Sequence, residues 1–193
     1  MPNKRLTVAE YLVWAESAPT GRYELVRGEV VEISPERAWH NRMKGALYMA
    51  LHLAIRRAGL PDCTAYTDGM TVQIDDQTAR EPDALVQCSP IPLDSLIANE
   101  PVIVVEVASP SSARSDVSTK LADYFTVPSI QHYLVVDMNS GLLLHTRQAD
   151  GEILPRIIRD GDVHLDPPGL VIPFAEMVPT LDECAEPSVS RQI

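Results

Sequence analysis

Long apolar runs are missing from this chain of 193 residues. No stretch approaches the roughly 20 consecutive apolar residues that a bilayer span needs. Even the best candidate, Pro101-Val-Ile-Val-Val-Glu-Val-Ala108, is interrupted by a glutamate. The N-terminus, Met1-Pro-Asn-Lys-Arg5, carries basic residues without the apolar core of a signal peptide. Cysteine is scarce: Cys63, Cys88 and Cys184 are odd in number and far apart in sequence. They suggest neither a zinc knuckle nor a disulfide framework, and so predict a reducing, cytoplasmic setting. Tryptophan is limited to Trp14 and Trp39, too few for a base-stacking platform. Positive charge is in deficit, with 16 Lys and Arg against 27 Asp and Glu and a net charge of −11. That excludes a broad basic nucleic-acid surface but not a local one. Arg37, Arg42, Lys44, Arg56 and Arg57 do crowd one segment, and they read as a solvated helix face.

What is present is the composition of a soluble globular protein, 45% hydrophobic and 22% charged. The length suits one domain over residues 1–185, followed by a frayed tail at 186–193. Thr7 with Glu10 is a capping-box pattern that opens a short helix. Tyr23 to Ile33 reads as a β-hairpin turning at Arg27-Gly28. Met43, Leu47, Ala50, Leu51, Ala54 and Ile55 recur at helical spacing until Gly59-Leu-Pro61 ends the helix. Strands are predicted at Thr71–Ile74, Ala84–Cys88, Val102–Ala108, His132–Asp137 and Leu142–Thr146, and a helix at Asp116–Phe125. The proline-rich tail holds one or two short strands. Strand, helix, strand across 102–137 is a crossover unit, which favours a parallel pair, while the hairpins make the sheet mixed. The fold class is α/β or α+β, with helices packed on a central sheet.

Glu106 is the anomaly in this pattern. Side chains alternate along a strand, so Val102, Val104, Glu106 and Ala108 share a face. An ionised carboxylate inside a buried strand needs a metal ion, a lysine or a shared proton to offset its desolvation. Asp83, in Glu81-Pro82-Asp83, enters the neighbouring candidate strand. Alone it reads as a turn residue after proline. Beside Glu106 it completes a carboxylate pair suited to magnesium, a hard cation with oxygen ligands, or to manganese.

Lys120 supplies a cation near this pair. Asp116, Lys120 and Tyr124 fall on one helical face, which could bring the ammonium to the carboxylates. Lys120 could equally form a surface pair with Asp116, and spacing does not separate the two. Glu24 either points inward as a functional acid or pairs with an arginine. His40 could touch a phosphate, act as a base, or cap the long helix, the capping or surface role being favoured. Glu29 reads as solvated, and His52, His132, His145 and His164 show no metal-ligand spacing.

These residues, taken in order, resemble the Uma-two family, a branch of the PD-(D/E)XK, restriction-endonuclease-like superfamily. The matching segments are Tyr23-Glu-Leu-Val-Arg-Gly-Glu29, Ser34-Pro35 with His40, and Glu81-Pro82-Asp83. Val105-Glu-Val-Ala-Ser-Pro-Ser111, Asp116 with Lys120 and Tyr124, and His132-Tyr-Leu-Val-Val-Asp137 complete them. The resemblance implies a restriction-endonuclease-like fold and a magnesium-dependent nuclease with Asp83 and Glu106 as metal ligands. It also implies Lys120 as the relocated catalytic lysine, because Ala108 stands where the superfamily places one. Glu24 and His40 rank second. The expected substrate is DNA, and duplex cleavage by a one-site domain suggests a homodimer. The alternative is an inactive nuclease-fold interaction module, which the acidic charge and the missing strand lysine favour.

Overall fold

Thr7 opens the first helix, α1 (Val8–Glu16), by reciprocal capping: its hydroxyl accepts from the Glu10 N–H, and the Glu10 carboxylate accepts from the Thr7 N–H. The computed structural model describes residues 5–18, 21–108, 114–137 and 141–179, with the side chains of 114–117 outside that description. Strands β1 (Tyr23–Val26) and β2 (Glu29–Glu32) form the predicted hairpin. Its two turn residues, Arg27 and Gly28, have positive φ of 52° and 81°, as a turn that follows the strand twist requires. A Cβ at Gly28 would come within 2.6 Å of the Arg5 Cβ, so glycine is needed there for space as well as for backbone conformation.

Helix α2 (Ala38–Ala58) follows and ends at Gly59, which is left-handed with φ 67°. The chain then runs through β3 (Thr64–Thr67), β4 (Val72–Asp75), β5 (Thr78–Arg80), β6 (Ala84–Gln87) and β7 (Pro101–Val107). Helix α3 (Arg114–Thr126) crosses to β8 (His132–Asp137), and β9 (Gly141–Arg147), β10 (Ile153–Ile158), β11 (Asp162–Leu165), β12 (Leu170–Pro173) and α4 (Phe174–Met177) complete the chain.

The central sheet has six strands in the order β10-β9-β8-β7-β6-β3. Within it β7 and β8 pair in parallel across the α3 crossover, and the other pairs are antiparallel. A second sheet, β2-β1-β5-β4, carries the hairpin, and β11 pairs with β12. The class is mixed α+β around a mixed central sheet, as expected. Alternation along β7 divides the core. Ile103, Val105 and Val107 pack with Leu47 and Leu51 of α2 on one face. Val104 packs with Tyr124 of α3 and Tyr133 on the other. Each such fully buried aliphatic side chain contributes roughly 1.5–3 kcal/mol of transfer free energy. Val102 departs from the predicted alternation and packs with the α2-side cluster.

Two strands escape the sequence pattern. β3, Thr-Ala-Tyr-Thr, is a polar sheet edge, and β5 is only three residues long. The tail holds three strands and a short helix rather than one or two strands. The cysteine expectation is also corrected. Pairing of β3 with β6 sets Thr64 opposite Gln87, so Cys63 and Cys88 meet one step further along and form a disulfide, Cα–Cα 3.8 Å. A separation of 25 residues in sequence is thus adjacency across a ladder. Cys184 and the 186–193 tail lie outside the described residues. Among the described residues no helix is long and apolar enough to cross a membrane.

Candidate active site

At the end of β7 a cleft of about 840 Å³ opens between α2, α3 and the β1–β5 edge. Glu24, His40, Asp83, Glu106 and Lys120 all line it. Ala84 pairs with Val105 in the β6–β7 ladder, so Asp83, one residue earlier, arrives level with Glu106. Asp83 then reaches across: its Oδ2 accepts from the Val107 N–H at 2.7 Å. Burial pushes the Asp83 carboxyl up, and that backbone bond with nearby His40, Lys44 and Lys120 only partly opposes it.

Glu106 faces α3. Lys120 and Tyr124, one helical turn apart, both reach it. The ammonium lies 3.0 Å from Oε1 and 3.1 Å from Oε2, and the Tyr124 hydroxyl donates to Oε1 at 2.7 Å. The Glu106 carboxyl is pushed up to about 7, because burial and the negative charges of Asp83 and Glu24 outweigh Lys120 and the Tyr124 bond. Burial together with the charges of Glu106 and Glu24 holds the Tyr124 phenol well up, so it remains a donor. Lys120 responds in the other direction. Burial would lower it, but Glu106 and Glu24 raise it, and it stays an ammonium.

Glu24 faces the cleft and is paired with an arginine. It lies 3.2 Å from Lys120 and 2.9 Å from Arg80. It also accepts from the Glu81 N–H at 3.2 Å. Burial would lift the Glu24 carboxyl, but Lys120 and Arg80 together hold it down. Arg80 is 3% exposed and grips Asp123 of α3 with its other nitrogens. It therefore ties β5, β1 and α3 together at the wall of the cleft.

His40 departs from the favoured capping or surface role. It is buried in the first turn of α2, with Nε2 donating to the Val107 carbonyl at 2.8 Å. Lys44, expected on a solvated face, is also buried, 2.6 Å from Glu36 and 2.7 Å from Asp68. Its position was legible: residues 40 and 44 continue the buried stripe 43, 47, 50, 51 and 54 towards the helix N-terminus. Glu36, Glu81, Arg22 and Arg80 went unrecognised as cleft residues, as did Asp68 beside them. Arg22 bridges Glu36, Asp68 and Glu81 from strand-edge and loop positions that carry no periodic signal. Asp116, the alternative partner of Lys120, lies with Val117 outside the described side chains.

Three similarities to known proteins accompany this fold. An uncharacterized protein, sll1609, of Synechocystis sp. (strain ATCC 27184 / PCC 6803 / Kazusa) is 33% identical over 138 residues, 69% of this chain and 76% of that protein. A crystal structure of "a putative nuclease belonging to DUF820" from Anabaena variabilis ATCC 29413 superposes with a TM-score of 0.70. It covers 90% of this chain and 97% of that one at 15% identity, a likeness of fold, and the fold is restriction-endonuclease-like. The model of the Uma2 family, described as "Putative restriction endonuclease", matches residues 8–175. With nearly the whole described chain inside that match, the protein belongs to the Uma2 family.

Proposed function

We propose that the protein is a magnesium-dependent endonuclease that hydrolyses phosphodiester bonds in DNA, with Asp83, Glu106 and Lys120 at its centre. The observation that carries this is the Lys120 ammonium held against Glu106 in the cleft that Asp83 also lines. The donor set suits a hard divalent cation. Glu24 and Glu106 share one lysine in the cleft that Asp83 lines, and Glu106 remains under-neutralised enough that its carboxyl sits at about 7. Asp83 and Glu106 would hold magnesium, or manganese in its place, and the ion would supply charge to offset that developing on the phosphate.

The chain's own groups do the rest. Lys120 presents a fixed positive charge where a water or a phosphate oxygen enters, without reorganising. Tyr124 and Glu24 hold that ammonium and the Glu106 carboxylate in register. In the reaction a water oxygen bonds to phosphorus, one P–O ester bond breaks, and the proton lost by water ends on the leaving oxygen. Arg37, exposed at the mouth of the cleft, offers a local positive charge for the DNA backbone despite the net charge of −11. A homodimer presenting two such clefts would cut both strands.

Supercoiled and single-stranded DNA incubated with the purified chain tests this. Nicking that needs magnesium or manganese, stops with a chelator and returns on adding the ion back is expected. No cleavage with either ion would replace the enzyme by a silent module on the same fold.

A further inference from the structure

We propose that the cleft takes an unpaired nucleotide, with its base against an apolar wall of Val31, Ile33, Pro35 and Trp39 and its phosphate at Lys120. The substrate is then a single DNA strand or a duplex opened at the point of cleavage. This rests on the nuclease reading and names the form of DNA that reading leaves open.

The reacting groups lie on the floor of the cleft rather than at its rim. The side chains of Glu106 and Lys120 are 13% and 14% exposed, and that of Asp83 is 8% exposed. A volume of about 840 Å³ suits a ligand of a few rings, and so a nucleotide. A paired duplex presents its phosphates on the outside of a stacked helix. To bring a phosphodiester down to Lys120, the strand has to leave that stack.

Strand register places the wall. Glu24 and Val31 stand directly opposite in the β1–β2 ladder, so both project from one face of the hairpin. Glu24 is 3.2 Å from the Lys120 ammonium. The wall therefore begins one cross-strand step, about 5 Å, from the carboxylate that holds this charge. The Ile33 N–H donates to the Arg22 carbonyl and extends the ladder by one residue, which keeps Ile33 on the face of Val31. Pro35 and Trp39 carry the lining on into the first turn of α2. Val31 is 45% exposed, and neither it nor Ile33 joins a core cluster. Packing within the chain does not account for this apolar surface.

Trp39 supplies the stacking ring. It is partly buried against the α2-side core and meets the His40 ring edge-on, with centroids 5.5 Å apart. The indole is thus held in one orientation while it lines the cleft. A single ring is no platform for successive bases, but it serves one unpaired base, and it does so for any sequence.

Charge favours the same substrate. Among the described lining residues Arg37 is the exposed cation, while Arg22, Arg80 and Lys120 are bonded to carboxylates. A duplex held through its phosphates draws on several free cations. With one, contact to the base has to carry more of the binding.

The experiment reads binding rather than cleavage. The full chain carrying Trp14→Phe keeps Trp39 as its tryptophan. Its fluorescence is followed in Ca2+, which the same oxygen ligands accept, during titration with four DNA probes. These are a short single strand, the fully paired duplex, that duplex with one bulged nucleotide, and the single strand made abasic. The single strand and the bulged duplex should quench Trp39 and bind about tenfold or more tighter than the paired duplex, the scale of one base stacked on an aromatic ring. The abasic strand keeps the phosphates and should lose both effects. Trp39→Leu should bring single-strand affinity down to that of the paired duplex. Should either variant fail to fold, photo-crosslinking of an iodouracil-substituted strand to the wild-type chain should mark Trp39. Equal binding of paired duplex and single strand, or equal quenching by the abasic strand, would overturn the base wall; cleavage of the duplex would then leave the nuclease reading standing. Quenching by the single strand in a chain that cuts no DNA with magnesium or manganese would uphold the wall and sink the nuclease reading.

Discussion

The ammonium of Lys120 straddles the carboxylate of Glu106, 3.0 Å from one oxygen and 3.1 Å from the other. Lys120→Ala should lower cleavage about 10²-fold or more, the scale of losing one fixed transition-state donor. Metal binding should persist, since an ammonium is not a ligand. Lys120→Arg should not restore the rate, because a planar guanidinium cannot replace a compact point charge between Glu106 and Glu24. Wild-type turnover by Lys120→Ala would remove the lysine from the mechanism.

Glu106 should also be visible in metal-free stability. Folded, its carboxyl titrates at about 7, against an ordinary 4.5. Between those values the folded state holds the extra proton, so stability falls as pH rises through the window. The penalty is absent below about 4.5 and complete above about 7, and it amounts to a few kcal/mol at ~1.4 kcal/mol per pH unit. Glu106→Gln mimics the protonated form, and Lys120 retains Glu24 at 3.2 Å. In chelator the variant should melt above wild type at pH 8, and the gap should close towards pH 5. A variant that melts lower at both values would make Glu106 a structural partner of the lysine.

Arg80 lines the wall of the cleft, 2.9 Å from Glu24 and bonded to Asp123 of α3. Arg80→Leu leaves two carboxylates without their shared counter-ion. Loss of one partner from such a buried network costs about 3–5 kcal/mol. Urea unfolding should show that loss, and a change below about 1 kcal/mol would mean that Lys120 alone satisfies Glu24.

Arg37 tests the DNA contact at the cleft mouth. Arg37→Glu should weaken DNA binding uniformly across sequences and reduce the salt slope of affinity by about one. The exposed residue supports no core packing, so its melting temperature should hold. Unchanged affinity and salt slope would move the DNA path elsewhere.

Much of the fold was legible because periodicity reports burial. The 3.6-residue stripe of α2, the Val- and Ile-rich β7 and the crossover through α3 all survive in the structure. Short polar β3 and three-residue β5 carry too little pattern, and the Cys63–Cys88 contact exists only once β3 pairs with β6. Asp83, Glu106, Lys120, Glu24 and His40 could be named because each breaks an apolar pattern or fits the family resemblance. Glu36, Asp68, Glu81 and Arg22 could not, since they come from loops and a strand edge and meet only through tertiary folding. Lys44 was misjudged because a charged residue was assigned to solvent although its helical phase was buried.

The most direct test of the Asp83, Glu106 and Lys120 centre is single-turnover cleavage of supercoiled DNA with magnesium, measured side by side for wild type, Asp83→Asn and Glu106→Gln. Wild type should convert the substrate to nicked or linear product, while both folded variants stay at the level of the chelator control. Equal cleavage by wild type and either variant would contradict the assignment of these carboxylates to the active site.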